Sequence, residues 1–161
     1  VADARAAGPD HDWQLDLAVL EPPAGATQEE AEDFLPEPPL VIGDEARLRQ
    51  VVVNLLANAR VHTPAGSHVT TTLMRERDTL IVRIHDDGPG IAPDVRDRLF
   101  ERFARGDSSR ERRTGSTGLG MSIALAIVQS HGGSIDVDSS TASEDHGTTF
   151  SVRLPAAVVE E

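Results

Sequence analysis

The sequence predicts an α/β fold, a two-layer sandwich in which helices cover one face of a mixed, mostly antiparallel sheet. Several short segments alternate apolar with polar residues, which is typical of strands with one buried face. Two long segments and one short one instead carry apolar residues at helical spacing. These three segments predict about three helices. The long elements follow the order strands, helix, strands, helix, strands, so we expect the helices to cover one sheet.

Composition excludes several classes of protein. A chain of 161 residues suits one compact domain. Its net charge of -12 argues against nucleic-acid binding, which relies on an excess of Lys and Arg. It has no cysteine, which excludes disulfide frameworks and cysteine nucleophiles. Its apolar runs are far shorter than the roughly 20 residues of a membrane helix, so we expect no direct membrane contact.

The first part of the chain predicts a boundary, a strand and a loop. Residues 1–12 are small and polar and predict a linker or the remnant of a preceding helix. Apolar residues alternate from Trp13 to Val19, which predicts a strand. The acidic, proline-rich residues 21–39 predict a mobile hairpin connection, and a regular element resumes at 40–42. We therefore expect a domain over 13–155 and a tail over 156–161.

The middle of the chain contains the strongest helical pattern. Asp44 is a good N-cap, and no Gly or Pro follows it before Pro64. The apolar positions recur at helical spacing, namely Leu48, Val51, Val52, Leu55, Leu56 and Ala59. Two alternating segments, 69–75 and 80–86, then predict an antiparallel hairpin.

The last part of the chain predicts two helices around a loop, and then two strands. A short helix starts at Pro93, with Leu99, Phe100 and Phe103 as apolar anchors. The polar tract 105–117 predicts a flexible loop. A helix over 119–131 ends at a Gly-Gly pair, and strands at 135–137 and 148–154 close the domain.

Polar residues on the first long helix form one candidate site. Asn54 and Asn58 lie four residues apart, so they share a helix face away from the apolar stripe. An amide oxygen is a suitable ligand for a Mg²⁺ ion that phosphates and waters already hold. His62 lies two turns beyond Asn54 and would line the same groove. The two Asn side chains would equally suit a solvated helix face.

The end of the hairpin forms a second candidate site. Asp86 has the parity of Val82 and Ile84, so its carboxylate should point to the core side, where it needs a donor such as an adenine amine. Gly88 and Gly90 would let the backbone approach a flat base. Thr148 should lie on the same face. DDGPG is also a common turn, and Thr is also a common strand residue.

The glycine-rich segment 115–121 forms a third candidate site. It leads directly into a helix, whose free N–H groups favour an anion such as a phosphate. It lacks the Lys of a Walker A loop. Several arginines precede it and would neutralise phosphate charge, although a charged loop is often only solvated.

Four motifs, NLLANARVHTP, DDGPGI, LFERF and GSTGLGM, resemble in order and spacing the N, G1, F and G2 boxes of the histidine kinase ATP-binding domain. The resemblance covers about Trp13 to Pro155. It implies the Bergerat fold, shared with DNA gyrase B, Hsp90 chaperones and MutL, with a flexible ATP lid at about 101–118. It also implies a protein-histidine kinase activity, exerted from the cytoplasmic part of a membrane-bound sensor.

The resemblance also implies a role for each motif residue. Asn58 would hold Mg²⁺, Asn54 would assist at the metal and the phosphates as the second catalytic residue, and Asp86 would bind the adenine amine. The remaining residues implied for ATP binding are His62, Gly88, Gly90, Ile91, Arg102, Phe103, Arg105, Thr117, Gly118, Leu119, Gly120, Met121 and Thr148. The implied partners are a dimerisation domain that carries the acceptor histidine and a downstream response regulator.

Three departures from the family pattern leave alternatives open. Val61 occupies a position that is often basic, which leaves a pseudokinase or nucleotide-gated interaction module open as an alternative, and Ser116 replaces a common Gly. No histidine lies in a phosphoacceptor motif; His11 is followed by Asp-Trp.

A gyrase-like ATPase would have a Glu at the position of Asn54 to activate water, and an amide is a poor base. The anti-sigma-factor serine kinases, which share the fold, fit the lid segment less well.

Overall fold

The computed structural model describes residues 1–22, 25–97, 99 and 117–157. Its helices are α1 (Ala2–Ala7), α2 (Gln28–Glu32), α3 (Glu45–His62) and α4 (Thr117–Ser130), with a 3-10 helix at Ala18–Leu20. Residues 93–97 are also helical, as the sequence predicted. The strands are β1 (Asp12–Asp16), β2 (His68–Glu76), β3 (Thr79–Asp86), β4 (Ser134–Thr141) and β5 (His146–Pro155).

The five strands form one mixed sheet in the order β1-β2-β3-β5-β4. β1 pairs with β2 in parallel, and the other neighbouring strands pair in antiparallel fashion. β2 and β3 form a tight hairpin whose turn places Arg77 at a positive φ of 54°. The predicted fold class and the predicted antiparallel hairpin are therefore confirmed.

Helices α3 and α4 pack against each other and against one face of the sheet. The Asp44 side chain accepts a hydrogen bond from the Arg47 N–H at 3.0 Å, so the predicted N-cap of α3 is confirmed. After α4, Gly132 adopts a φ of 72°, which glycine tolerates, and the Gly133 N–H caps the Val128 carbonyl at 2.9 Å. The two helices enclose a core that includes Val51, Leu55, Leu56, Ala59, Met121, Ala124, Ile127, Val128, Ile84, Phe150 and Val152.

The start of the chain is a packed helix. Val1 and Ala4 contact the core, and the buried Trp13 indole N–H donates to the Gly8 carbonyl at 2.7 Å. The sequence had left a linker or a helix remnant open for this segment. The structure shows a helix over Ala2–Ala7, and the boundary at residue 12 stays a prediction.

Two expectations for residues 13–42 are wrong. β1 ends at Asp16 rather than Val19, and Leu15 is 53% exposed although Trp13, on the same face of this edge strand, is only 2% exposed. The segment 21–39 is no hairpin connection, because residues 40–42 form no strand, and three apolar residues are too short a run to identify one. The segment instead contains α2, which begins with a capping box between Thr27 and Glu30.

Candidate functional site

A cavity of about 490 Å³ lies between α3, α4 and the ends of β3 and β5. The polar side chains that line it come from α3, β3 and β5, and the loop after β3 supplies much of the apolar wall. The lining residues are Asn58, His62, Asp86, Pro89, Gly90, Ile91, Ala92, Val95, Leu99, Met121, Thr148 and Phe150. Such a mixture of apolar walls and a few convergent polar groups is typical of a small-molecule site.

Asp86 is the buried charged group of this cavity. It is the last residue of β3 and is only 5% exposed, on the core side as its parity predicted. Burial raises the pKa of its carboxyl, against the opposing effects of the Gly88 N–H, the His85 charge and the Thr148 N–H. The Gly88 N–H donates to Asp86 Oδ1 at 3.0 Å. A carboxylate buried in this way favours a ligand that brings hydrogen-bond donors.

The neighbouring Asp87 makes structural hydrogen bonds instead. Its Oδ1 accepts the His68 N–H at 2.8 Å, and its Oδ2 lies 2.8 Å from His68 Nδ1. Burial alone would raise the pKa of Asp87, but these hydrogen bonds and the His68 charge outweigh it and lower the pKa. Asp87 therefore ties the loop to β2, and Asp86 faces the cavity.

The two glycines of the loop make close approaches that a side chain would block. A Cβ at Gly88 would lie 2.5 Å from Thr63 Cγ2 and 2.9 Å from Asp86 Oδ1. Gly90 has a φ of 75°, and a Cβ there would overlap the Ser140 carbonyl. The loop therefore lies directly against α3 on one side and the β4–β5 hairpin on the other.

Two side chains of the β4–β5 hairpin hold this loop in place. The Ile91 N–H donates to Ser139 Oγ at 2.8 Å. His146 Nδ1 lies 2.7 Å from the Gly88 carbonyl, and because a carbonyl only accepts, the ring nitrogen is the donor. The position of the loop beside Asp86 thus depends on residues about 50 positions further along the chain.

The polar residues of α3 divide into two groups. Asn58 and His62 line the cavity. Asn54 does not line it; its amide nitrogen donates to the Gly120 carbonyl of α4 at 3.0 Å. This bond connects the two helices beside the first turn of α4, where backbone N–H groups lack intrahelical partners.

The structure brings seven predicted site residues to the cavity: Asn58, His62, Asp86, Gly90, Ile91, Met121 and Thr148. The Gly88 N–H donates to Asp86, and Asn54 contacts Gly120. Helix α4 begins two residues before the predicted start, with Thr117, Gly118 and Leu119. Arg102, Phe103 and Arg105 lie outside the described residues, as do Phe100 and most of the predicted lid. The roles of all these residues stay predictions.

Sequence reasoning missed three residues that shape the site: Thr63, Ser139 and His146. Thr63 is buried beside Gly88, and its hydroxyl donates to the Ala59 carbonyl at 2.7 Å. Ser139 and His146 lie in segments with ordinary strand and loop composition. Only the register of β4 with β5, which pairs Ser139 with Thr148, would have revealed Ser139.

The described side chains do not form a metal site of three or more ligands. In the described ranges, no group of three or more His, Cys, Asp or Glu side chains could hold a metal ion. A Mg²⁺ ion at Asn58 would therefore take most of its oxygen ligands from phosphates and water, as Mg²⁺ commonly does. Across the same part of the chain, no helix is both long and apolar enough to cross a membrane.

A second cavity of about 490 Å³ lies at the other end of β2 and β3. It is bordered by the 3-10 helix, residues 34–37 and the hairpin turn. Arg75 and Glu37 form an ion pair at 2.6 Å on its wall. Its lining residues are Ala18, Val19, Glu21, Phe34, Leu35, Glu37, Met74, Arg75, Arg77 and Asp78.

Comparison with known proteins gives consistent matches. Residues 43–158 match the family described as histidine kinase-, DNA gyrase B- and HSP90-like ATPases. The probable sensor histidine kinase TcrY of Mycobacterium tuberculosis is 48% identical over 155 residues, which are 96% of this chain and 28% of that protein. The sensor histidine kinase TrcS of the same organism is 38% identical over 160 residues, which are 96% of this chain and 27% of that protein.

Solved structures give the same result for the fold. The mycobacterial sensor histidine kinase MprB aligns with a TM-score of 0.70 and 30% identity, over 96% of this chain and 90% of that one. The catalytic domain of histidine kinase ThkA aligns with a TM-score of 0.67 over 96% of this chain and 89% of that one, and at 20% identity it supports the fold alone. The chain spans less than a third of the length of the curated relatives TcrY and TrcS.

Proposed function

The chain belongs to the family of histidine kinase-, DNA gyrase B- and HSP90-like ATPases, and we propose that it is the ATP-binding catalytic domain of a sensor histidine kinase. In this proposal it binds Mg-ATP and donates the γ-phosphate to a histidine on a separate dimerisation domain. The observation that carries the proposal is the cavity that joins the buried Asp86 to Asn58 of α3.

Asp86 and Thr148 would recognise the adenine base. Both side chains are 5% exposed, and both line the polar end of the cavity. A buried carboxylate accepts a hydrogen bond from the exocyclic amine, and the apolar walls formed by Ile91, Met121 and Phe150 would contact the faces of the base.

Asn58 would provide the protein's ligand to Mg²⁺. The metal supplies charge neutralisation on the phosphates, and the side chain supplies one neutral oxygen. His62 lies one turn further along the same wall. The N-terminus of α4 would face the phosphates, because its free N–H groups favour anions.

Asn54 favours transfer over hydrolysis. An ATPase of this family type needs a base that activates water, whereas an amide cannot take up a proton at neutral pH. In the structure the amide of Asn54 bonds to Gly120. Transfer to an imidazole needs no such base, since positioning and charge neutralisation dominate phosphoryl transfer.

The partners and the location also belong to this proposal. The acceptor would be a helical dimerisation domain of the same kinase, and a response regulator would receive the phosphate next. Because ATP is its substrate, the domain would act on the cytoplasmic side of the membrane.

A phosphotransfer assay tests the proposal. The chain is mixed with Mg-[γ-³²P]ATP and a separate helical hairpin that bears the acceptor histidine. Label on the hairpin that disappears with Asn58→Ala and Asp86→Asn would support the kinase function. Gln50→Ala on α3 and Asp16→Asn on β1 are matched controls, because both residues are exposed and lie outside the cavity.

Two outcomes would contradict the proposal. Steady release of inorganic phosphate without label on the acceptor would indicate an ATPase instead. Binding of Mg-ATP without either transfer or hydrolysis would indicate a nucleotide-gated interaction module, the alternative that Val61 leaves open.

A further inference from the structure

Three polar residues lie in one row across three neighbouring strands at the end of the cavity. Asp86 of β3 pairs in register with Thr148 of β5, and Thr148 pairs with Ser139 of β4. Asp86 and Thr148 line the cavity, whereas Ser139 lies behind Thr148. Their side chains share one face of the sheet, so each can contact the next.

The Ser139 hydroxyl has three close partners. It accepts the Ile91 N–H at 2.8 Å, it lies 2.9 Å from the Gly147 carbonyl oxygen, and it lies 2.9 Å from Thr148 Oγ1. A hydroxyl has one proton to donate and two lone pairs that accept. The three contacts therefore use its full hydrogen-bonding capacity.

The direction of each hydrogen bond follows from the partners. The Ile91 N–H only donates, and the Gly147 carbonyl only accepts, so the single proton of Ser139 goes to Gly147. The hydrogen bond between the two hydroxyls must then use the proton of Thr148. With its proton committed to Ser139, Thr148 Oγ1 presents only lone pairs to the cavity.

We propose that Ser139 is a specificity-determining positioning residue, which turns the polar end of the cavity into a pure acceptor by taking the Thr148 proton. This inference rests on the proposed nucleotide-binding function. An ionised Asp86 and a Thr148 oriented in this way favour a base that carries an amine, such as adenine. They disfavour a base that carries a carbonyl in the same place, because two acceptors then face each other.

Ser139 acts on the ligand through Thr148 and does not touch it. Without the Ser139 hydroxyl, Thr148 is free to rotate its proton into the cavity and to donate to a carbonyl. The Ser139→Ala variant should therefore lose selectivity between the two kinds of base, beyond any general loss of affinity.

Calorimetric titration with Mg-ADP and Mg-IDP tests this, because hypoxanthine has a carbonyl where adenine has its amine. We expect the ratio of the IDP to the ADP dissociation constant to fall about five- to tenfold in Ser139→Ala, the value of about one hydrogen bond. Ser139→Thr keeps the hydroxyl and should restore the ratio. Ser134→Ala, at an exposed position of the same strand, should leave it unchanged.

The ratio separates specificity from folding, because a partly unfolded sample loses affinity for both ligands equally. An equal ratio in wild type and Ser139→Ala, with ADP still bound by the wild type, would overturn this inference alone. Equal loss of affinity for both ligands would show a merely structural role and would also overturn it. Failure of the wild type to bind ADP would overturn the proposed function and this inference together.

Discussion

The two cavities have the same volume, about 490 Å³ each, but very different chemistry. The first, the Asp86 cavity, contains a carboxylate that is 5% exposed and whose pKa is raised by burial. In the second, the Arg75 cavity, the Arg75 side chain is 19% exposed and forms an ion pair with the Glu37 side chain, which is 69% exposed. Volume is equal in both, so it does not identify the site.

The two cavities differ in how much hydrogen-bonding capacity their polar groups leave unused. An ion pair with one exposed partner satisfies its own charges and gains little from a ligand. A buried carboxylate beside a hydroxyl gains much from a ligand that donates. The comparison therefore predicts that nucleotide binding depends on the polar end of the Asp86 cavity and not on the Arg75 cavity.

The largest effect should come from removal of the buried charge. Asp86→Asn should weaken Mg-ADP binding roughly 10- to 150-fold, because hydrogen bonds to charged groups contribute about 1.5–3 kcal/mol. Glu37→Gln, the matched change in the Arg75 cavity, should alter the affinity by less than about twofold. Calorimetric titration of both variants checks this. Equal losses of Mg-ADP affinity would contradict the distinction between the two cavities.

The next effect concerns the loop that follows Asp86. Gly90→Ala should cost about 1–3 kcal/mol of unfolding free energy and weaken ADP binding, because it combines a positive φ with a clash against the Ser140 carbonyl. Gly66→Ala is the control, since Gly66 has a φ of 88° and open space around its Cα. Urea unfolding should show a clearly smaller loss for Gly66→Ala; losses of equal size would mean that the contact with β4 is unimportant.

The adjacent carboxylates should respond to pH in opposite directions. The raised pKa of Asp86 means that its contribution to stability is present below the ordinary value of 3.8 and is lost as pH rises through the folded-state pKa. Asp86→Asn should therefore be at least as stable as wild type at neutral pH without nucleotide. A large destabilisation there would contradict the assignment of Asp86 to ligand binding.

The lowered pKa of Asp87 has the reverse consequence. Its contribution is present above the ordinary value of 3.8 and is lost as pH falls through the folded-state pKa. Asp87→Asn should therefore be less stable than wild type at neutral pH, and the difference should shrink in acid. Thermal unfolding across pH measures both variants, and a difference that grows in acid would contradict the structural role of Asp87.

The smallest effect should come from the apolar wall of the Arg75 cavity. Leu35 is 86% exposed, so Leu35→Ser should change the unfolding free energy by less than about 0.5 kcal/mol. Its Mg-ADP affinity should stay within about twofold of wild type. A larger loss of affinity, measured by the same titration, would show that the Arg75 cavity takes part in binding.

Local pattern was enough to predict the elements that build the site. The apolar spacing of α3, its cap at Asp44 and the parity of Asp86 on β3 all depend on neighbouring residues, and the structure has each of them. The contacts of Ser139 and His146 with the loop connect residues that are 48 and 58 positions apart. They depend on strand register, which a short segment does not reveal.

The errors have a similar cause. Alternation at Leu15 predicted burial, but burial depends on what covers an edge strand, and no local pattern contains that information. Residues 40–42 look like part of a strand, yet the Leu40 N–H donates to the nearby Pro38 carbonyl at 2.8 Å, and the Leu40 carbonyl accepts the Ala157 N–H at 2.7 Å. The contact of Asn54 with the Gly120 carbonyl likewise joins residues 66 positions apart, and its role at the metal and the phosphates stays a prediction.

The most direct test of the account is an NMR titration of the wild-type chain with Mg-ADP, which follows backbone amide resonances at both cavities. The account predicts that Ile91 and Met121, which line the Asp86 cavity, and Gly88, whose N–H donates to Asp86, shift strongly and saturably. Phe34 and Met74 of the Arg75 cavity should not shift. Saturable shifts centred on Phe34 and Met74, or no saturable shift at Gly88 and Ile91, would contradict it.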